Sequence, residues 1–315
     1  MSTTTALTWR DDEQSLTVSL GDLDIATYTY DATDEQRESP RPFFHPLRTT
    51  AGETVSVYRP WDHVWHKGIA WSLPHFGEDN FWGGPSYRRG DDYKWLPNNG
   101  SMRHERVTDV GLDGGAFHFA HALSWWTQGG KHVVDEIRGI RISPGANGDS
   151  WTLVFETAMT NVSGGDIRIG SPTTEGRENA GYGGLFWRGP REFAGGRIAG
   201  PGGATGEELR GTRGPWLAFV GQHDDTCRFS TVLIADDTAN AQHPPEWFAR
   251  SEPFACFGPA PFFSEEVTFA AGETMVNRYA VVIADGDSDQ DRLDGLASLA
   301  TDALQHEAVK TGAGA

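Results

Sequence analysis

Residues 132–163 read HVVDEIRGIRISPGANGDSWTLVFETAMTNVS, two strand-length runs separated by PGANGD and closed by VSGGD. Apolar and β-branched residues recur with a period of two on both sides of a Gly/Asn/Asp cluster, the pattern of paired strands joined by a turn. The same grammar extends in both directions. Upstream lie LTVSLGDLDIATYTYD (16–31) and GAFHFAHALSWWT (115–127); downstream lie GPWLAFVGQ (214–222) and RFSTVLIADD (228–237). EEVTFAAGETMVNRYAVVIADG (265–286) reads as a hairpin turning at Ala271–Glu273. Strands arriving every ~8–12 residues with turn signals between them predict an all-β sandwich or barrel.

One stretch departs from that grammar. SDQDRLDGLASLATDALQHEAVK spaces Leu293, Leu296, Leu299 and Leu304 for one face of a helix and begins with Ser and Asp, which cap helices well. We therefore expect a single β domain over residues 1–315, a short C-terminal helix over 288–309 and a frayed tail over 310–315. The Gly- and Arg-rich stretch 176–215 holds Phe186, Trp187 and Phe193, too apolar for a linker, and reads as a long ordered loop over a site.

The 315 residues carry a net charge of −18, the wrong sign for nucleic acid or an anionic membrane surface. No apolar run is long enough to span a bilayer. The first residues lack a basic segment followed by an apolar one, and two cysteines are too few for a disulfide framework. The expected setting is cytoplasmic, the expected partner a neutral or cationic small molecule, and an oligomer stays open.

Chemistry concentrates in three segments. RPWDHVWHKG (59–68) sets His63 and His66 three apart among Trp61, Asp62 and Lys67. Histidines so placed in a loop can converge as an acid/base pair, since imidazole titrates near neutrality. They can equally form two-thirds of a metal site, with Glu136 the best third ligand. ENAGYGGLFWRGP (178–190) offers Tyr182, Trp187 and Arg188, and NFWGG adds Trp82; aromatic faces and arginine suit a sugar. The stretch 236–263 reads as a long ordered loop stiffened by prolines, and brings His243 and Trp247. Glu136 and Arg138, two apart, share a strand face. There is no GxSxG, HExxH or phosphate-binding glycine loop.

Taken as a set, RPWDHVWHKG, NFWGG, VVDEIRGIRI, YGGLFWRGP and HPPEWFARSEPFACFGPAPFF resemble the PmoA-like family, or domain of unknown function 6807, over roughly residues 40–285. The resemblance implies a large β-supersandwich of the galactose-mutarotase-like kind, which binds carbohydrate on a concave sheet. The residues and the resemblance together point to an enzyme acting on a sugar or glycoside by hydrolysis, elimination or isomerisation, and a keto-sugar would suit it. His63, His66, Glu136 and His243 would be catalytic; Trp61, Asp62, Lys67, Trp82, Arg138, Tyr182, Trp187, Arg188 and Trp247 would bind substrate. Two alternatives remain: a non-catalytic carbohydrate-binding protein, or a metal-dependent hydrolase or oxygenase using His63, His66 and Glu136. The cofactor is unassigned.

Overall fold

In the computed structural model, which describes residues 6–305, the quoted stretch forms one hairpin. Strands His132–Pro144 and Ser150–Asn161 pair antiparallel from Val134↔Asn161 to Pro144↔Trp151, and Gly145 closes the turn by donating to the Ser150 carbonyl. The hairpin lies within an eight-stranded sheet of long strands. Its spatial order is Arg197–Ala199, Trp216–Gln222, Phe229–Asp236, Thr274–Asp285, Ser150–Asn161, His132–Pro144, Ala116–Trp126 and Ser101–Asp113. A second antiparallel sheet of eight runs Leu7–Asp11, Ser15–Leu20, Leu23–Thr29, Phe43–Leu47, Ile69–Ser72, Gly184–Arg188, Cys256–Ala260 and Glu246–Arg250.

The two sheets pack face to face as the expected all-β sandwich. Alternation decides what fills the gap: Trp151, Leu153, Phe155 and Met159 point inward from one strand, Val134, Ile140 and Ile142 from its neighbour. Across the interface Trp71 stacks on Phe155 at 6.3 Å and Trp187 meets Phe219 at 5.3 Å. Five tryptophans (Trp71, Trp125, Trp151, Trp187 and Trp247) are fully buried, so much of the tryptophan content is core filling.

Part of the outer face of the long-strand sheet is also covered, which explains the unbroken apolar run of AVVIAD. Val154, Leu233, Ala280 and Val282 lie beneath Leu293, Leu296, Ala297, Ala300 and Leu304 of the helix Gln290–Gln305. Asp289 caps that helix, accepting the Arg292 amide proton at 3.0 Å. The remainder of the expected helix (306–309) and the tail 310–315 lie outside the described residues. Among the described residues no helix is long and apolar enough to cross a membrane.

Three expectations need correction. The turn at Ala270–Glu273 forms, but its arms part: Val267–Phe269 pairs with Ile167–Gly170, and Thr274–Asp285 joins the long-strand sheet. The stretch 176–215 is not one loop, because Gly184–Arg188 threads between Ile69–Ser72 and Cys256–Ala260 in the middle of a sheet. The aromatic stretch 236–263 is likewise a hairpin, Glu246–Arg250 against Cys256–Ala260. In both cases the hydrogen-bonding needs of buried backbone are met by ladder pairing.

Candidate functional site

The histidine segment is a tight double turn. His63 donates its amide to the Pro60 carbonyl, His66 to that of His63, and Arg59 to that of His66. Gly68 ends it with φ +53°, and a Cβ there would stand 2.0 Å from the Phe44 carbonyl oxygen, so glycine is required. From beneath, the buried Glu38 carboxylate accepts from Arg59 at 2.7 Å and from Lys67 at 2.5 Å, and Lys67 also donates to Asp34 at 2.6 Å. These ion pairs hold both ends of the turn and leave its middle to face outward.

That middle forms one wall of a cleft of about 490 Å³, within the range of small-molecule sites. The cleft lies on the outer face of the shorter-stranded sheet, opposite the core. Phe186 shares the outward face of its strand with Arg188, as do Phe248 and Arg250 on theirs, and each pair alternates with the core residues Trp187 and Trp247. Trp82 packs on Tyr182 at 4.6 Å and on Phe186 at 4.7 Å. Trp65 and Phe254 complete an aromatic enclosure.

The two imidazoles are stacked, with centroids 4.7 Å apart and planes 15° from parallel, and each is fixed by a different partner. His63 Nδ1 lies 3.1 Å from Asp62 Oδ2. Arg188 donates one Nη to His66 Nδ1 at 2.9 Å and the other to Asp62 at 2.9 Å. Burial works to raise the Asp62 pKa, but Arg188 and His63 outweigh it and hold the carboxyl below its ordinary range. A carboxylate only accepts, so His63 carries its proton on Nδ1 and presents the Nε2 lone pair. A guanidinium only donates, so neutral His66 is protonated on Nε2. Burial lowers both histidines; His66 falls well below its ordinary value, with neighbouring His63 and Arg188 adding to the effect. Among the described residues the His66 ring takes its hydrogen bond at Nδ1, from Arg188, and the ring lines the cleft. A base and a neutral N–H donor thus stand side by side on one wall.

Of the expected site residues, the structure brings His63, His66, Trp82 and Tyr182 to the cleft and sets Asp62 and Arg188 directly behind the histidines. The others go elsewhere. Glu136 and Arg138 lie between the two sheets, because their parity is that of Ile140 and Ile142. Glu136 accepts there from Arg138 at 2.8 Å, Trp125 at 2.7 Å and Thr157 at 2.7 Å. Trp187 and Trp247 are core residues whose indole N–H groups go to the Val55 and Gly214 carbonyls. Lys67 is locked beneath the turn, and Trp61 is 78% exposed with Arg191 over its ring. His63 and His66 therefore have no Glu136 to complete a metal site. Among the described residues no three His, Cys, Asp or Glu side chains form a group that could hold a metal ion.

His243 is placed apart, paired with Asp236 at 2.7 Å, where burial pushes the Asp236 carboxyl up to about 6. The cleft also contains residues the expected set omitted: Trp65, Tyr93, Arg177, Phe248, Arg250, Phe254 and Cys256. Cys256 is unreactive there, since burial raises its thiol to about 12.

No protein of curated function matches the sequence. Among solved structures the chain is similar to the GH36 alpha-galactosidase AgaB from Geobacillus stearothermophilus, at TM-score 0.42 and 9% identity over 89% of this chain and 41% of that one. It is similar also to the alpha-galactosidase from Lactobacillus brevis, at TM-score 0.42 and 8% identity over 91% and 40%. The chain thus spans about two fifths of these longer proteins, and likeness at that level carries no inference about activity. The family evidence comes from sequence: residues 15–298 match the model of the Family of unknown function (DUF6807), and the chain belongs to that family.

Proposed function

We propose that this protein is an enzyme that binds a sugar or glycoside in the aromatic cleft and moves a proton next to a carbonyl, causing isomerisation or elimination. The observation that carries this reading is that two stacked imidazoles meet opposite partners at Nδ1, a carboxylate on His63 and a guanidinium on His66, which leaves His63 an Nε2 lone pair and His66 an Nε2–H. Trp82, Tyr182 and Phe186 supply flat apolar surface for a pyranose face.

In the step we envisage, His63 Nε2 takes the proton from the carbon beside the carbonyl. The C–H electron pair becomes the C=C bond of an enolate, and the carbonyl π pair moves onto oxygen. His66 Nε2–H hydrogen-bonds that oxygen as its charge grows; being neutral, it donates without having to ionise fully. The hydroxyl proton on the deprotonated carbon then passes to the neighbouring oxyanion, and that carbon's own oxygen re-forms a carbonyl. The C=C pair takes the proton from His63 at the former carbonyl carbon, which isomerises the sugar. Alternatively the enolate expels a β-oxygen substituent, which leaves with that proton. Asp62 holds the His63 ring and stabilises its protonated form, a positioning role.

Hydrolysis by paired carboxylates fits less well. That chemistry needs two acids flanking the bond, and among the described residues no Asp or Glu lines the cleft.

The test is solvent exchange. Keto-hexoses and keto-glycosides would be incubated with the protein in D₂O and their α C–H signals followed by proton NMR. The reading expects protein-dependent loss of an α-proton signal, with or without a new product. Binding across the panel with no exchange, elimination or interconversion would make this a binding protein instead.

A further inference from the structure

The surface of this protein carries a large negative excess, yet the cleft wall does not share it. The charged side chains lining it are Arg177 and Arg250. Arg177 lies 4.9 Å from the Tyr93 ring centroid and donates to the Tyr93 hydroxyl at 2.5 Å. Arg250 sits 5.6 Å from the Phe248 ring centroid. Among the described residues neither forms an ion pair with a carboxylate. Arg188 differs, because Asp62 balances its charge. Glu207, the acid nearest in influence to Arg250, is taken by Arg210 and by the Ser251 hydroxyl at 2.8 Å.

Two guanidiniums that feel each other's charge, on the wall of a half-enclosed aromatic cavity, are an unfavourable arrangement without an anion. Burial lowers the Arg250 pKa, and Arg210 and Arg177 add to the effect. A neutral sugar would leave both charges unanswered. A hydroxyl chain ties this charge to the ring that would hold the sugar. Arg177 donates to Tyr93, whose hydroxyl lies 2.8 Å from that of Tyr182.

We infer that the ligand of this cleft carries an anionic group, a carboxylate or a phosphate monoester, held by Arg177 and Arg250 while the sugar ring lies against Trp82 and Tyr182. The inference rests on the sugar reading of the same cleft and narrows it to acidic sugars. Planar guanidiniums suit either anion, since both present paired oxygens. The protein's overall field repels anions, so selection must come from these two side chains.

Tryptophan fluorescence reads the cleft directly through Trp65 and Trp82. Titrations with D-glucuronate, D-galacturonate and D-glucose 6-phosphate would be compared with D-glucose and D-galactose, in the wild type and in the R177Q/R250Q double variant, with unfolding midpoints as the control for folding. At least one acidic sugar is expected to bind ten times or more tighter than its neutral counterpart. The double variant should lose that advantage, by about ten- to a hundredfold for the acid, so that acidic and neutral sugars bind alike. The two uronates against the phosphate decide which anion is preferred. Equal affinity for acidic and neutral sugars, no binding of any acidic sugar, or an anion preference that survives in the double variant would each overturn the inference. The readings separate: exchange on a neutral keto-sugar without acid preference removes only this inference. Arginine-dependent acid binding without exchange removes only the proton-transfer chemistry.

Discussion

Replacing His63 with glutamine is expected to lower the rate of α-proton exchange or turnover by about 10²–10⁴-fold while leaving the fold intact. The ring is 34% exposed at the cleft rim, so little packing is lost. What disappears is the Nε2 lone pair that Asp62 aims outward through Nδ1. Glutamine keeps polar bulk but cannot take a proton at neutral pH. His66→Gln should cost somewhat less, roughly 10²–10³-fold, because it removes a hydrogen bond to the developing oxyanion and spares the base. Comparing kcat with KM separates the roles. Loss at His63 falls on kcat, since a base acts mainly beyond the bound state. A His63→Gln protein that is folded and turns over within about threefold of wild type would end the assignment.

Replacing Glu136 with alanine is expected to cost about 3–5 kcal/mol of stability, read by urea unfolding, with activity per folded molecule unchanged. Arg138 is fully buried and answered by both Glu136 oxygens, at 2.8 and 3.0 Å. Deleting the carboxylate strands a cation in the core, and leaves the Trp125 and Thr157 donors unpaired as well. Removing both charges behaves differently. Glu136→Leu with Arg138→Met replaces an ion pair by apolar volume and should lie within about 2 kcal/mol of wild type or above it. If Glu136→Ala instead abolished turnover with stability unchanged, the pair would belong to the chemistry after all.

That pair also marks where the sequence stops being readable. EIRGIRI places Glu136 and Arg138 on one strand face, and counting on by twos reaches Ile140 and Ile142, the core face. Apolar content alone suggested a costly buried carboxylate in search of a function; parity gives it a structural partner. The same counting separates Trp187 from Arg188, and Trp247 from Phe248 and Arg250. It could not say which member of each pair faces the cleft, because both faces of these strands are covered. All five residues of Gly184–Arg188 are buried, so no polar alternation survives to identify the inner face. The strands, the sandwich and the C-terminal helix were legible because their signals are local. The Arg188–His66 bond spans 122 residues and the Tyr93–Tyr182 contact spans 89; only the assembled sheet creates either.

The central claim, a base and a neutral donor fixed side by side, is open to one direct measurement. Imidazole ¹⁵N chemical shifts of the ligand-free protein report which ring nitrogen carries hydrogen, and a titration from pH 8 to 5 reports when each ring becomes charged. The account predicts the Nδ1–H form for His63, and the Nε2–H form for His66 held neutral well below the ~6.5 at which an unperturbed histidine titrates. The same tautomer at both rings, or a His66 that protonates at or above the ordinary histidine value, would contradict it.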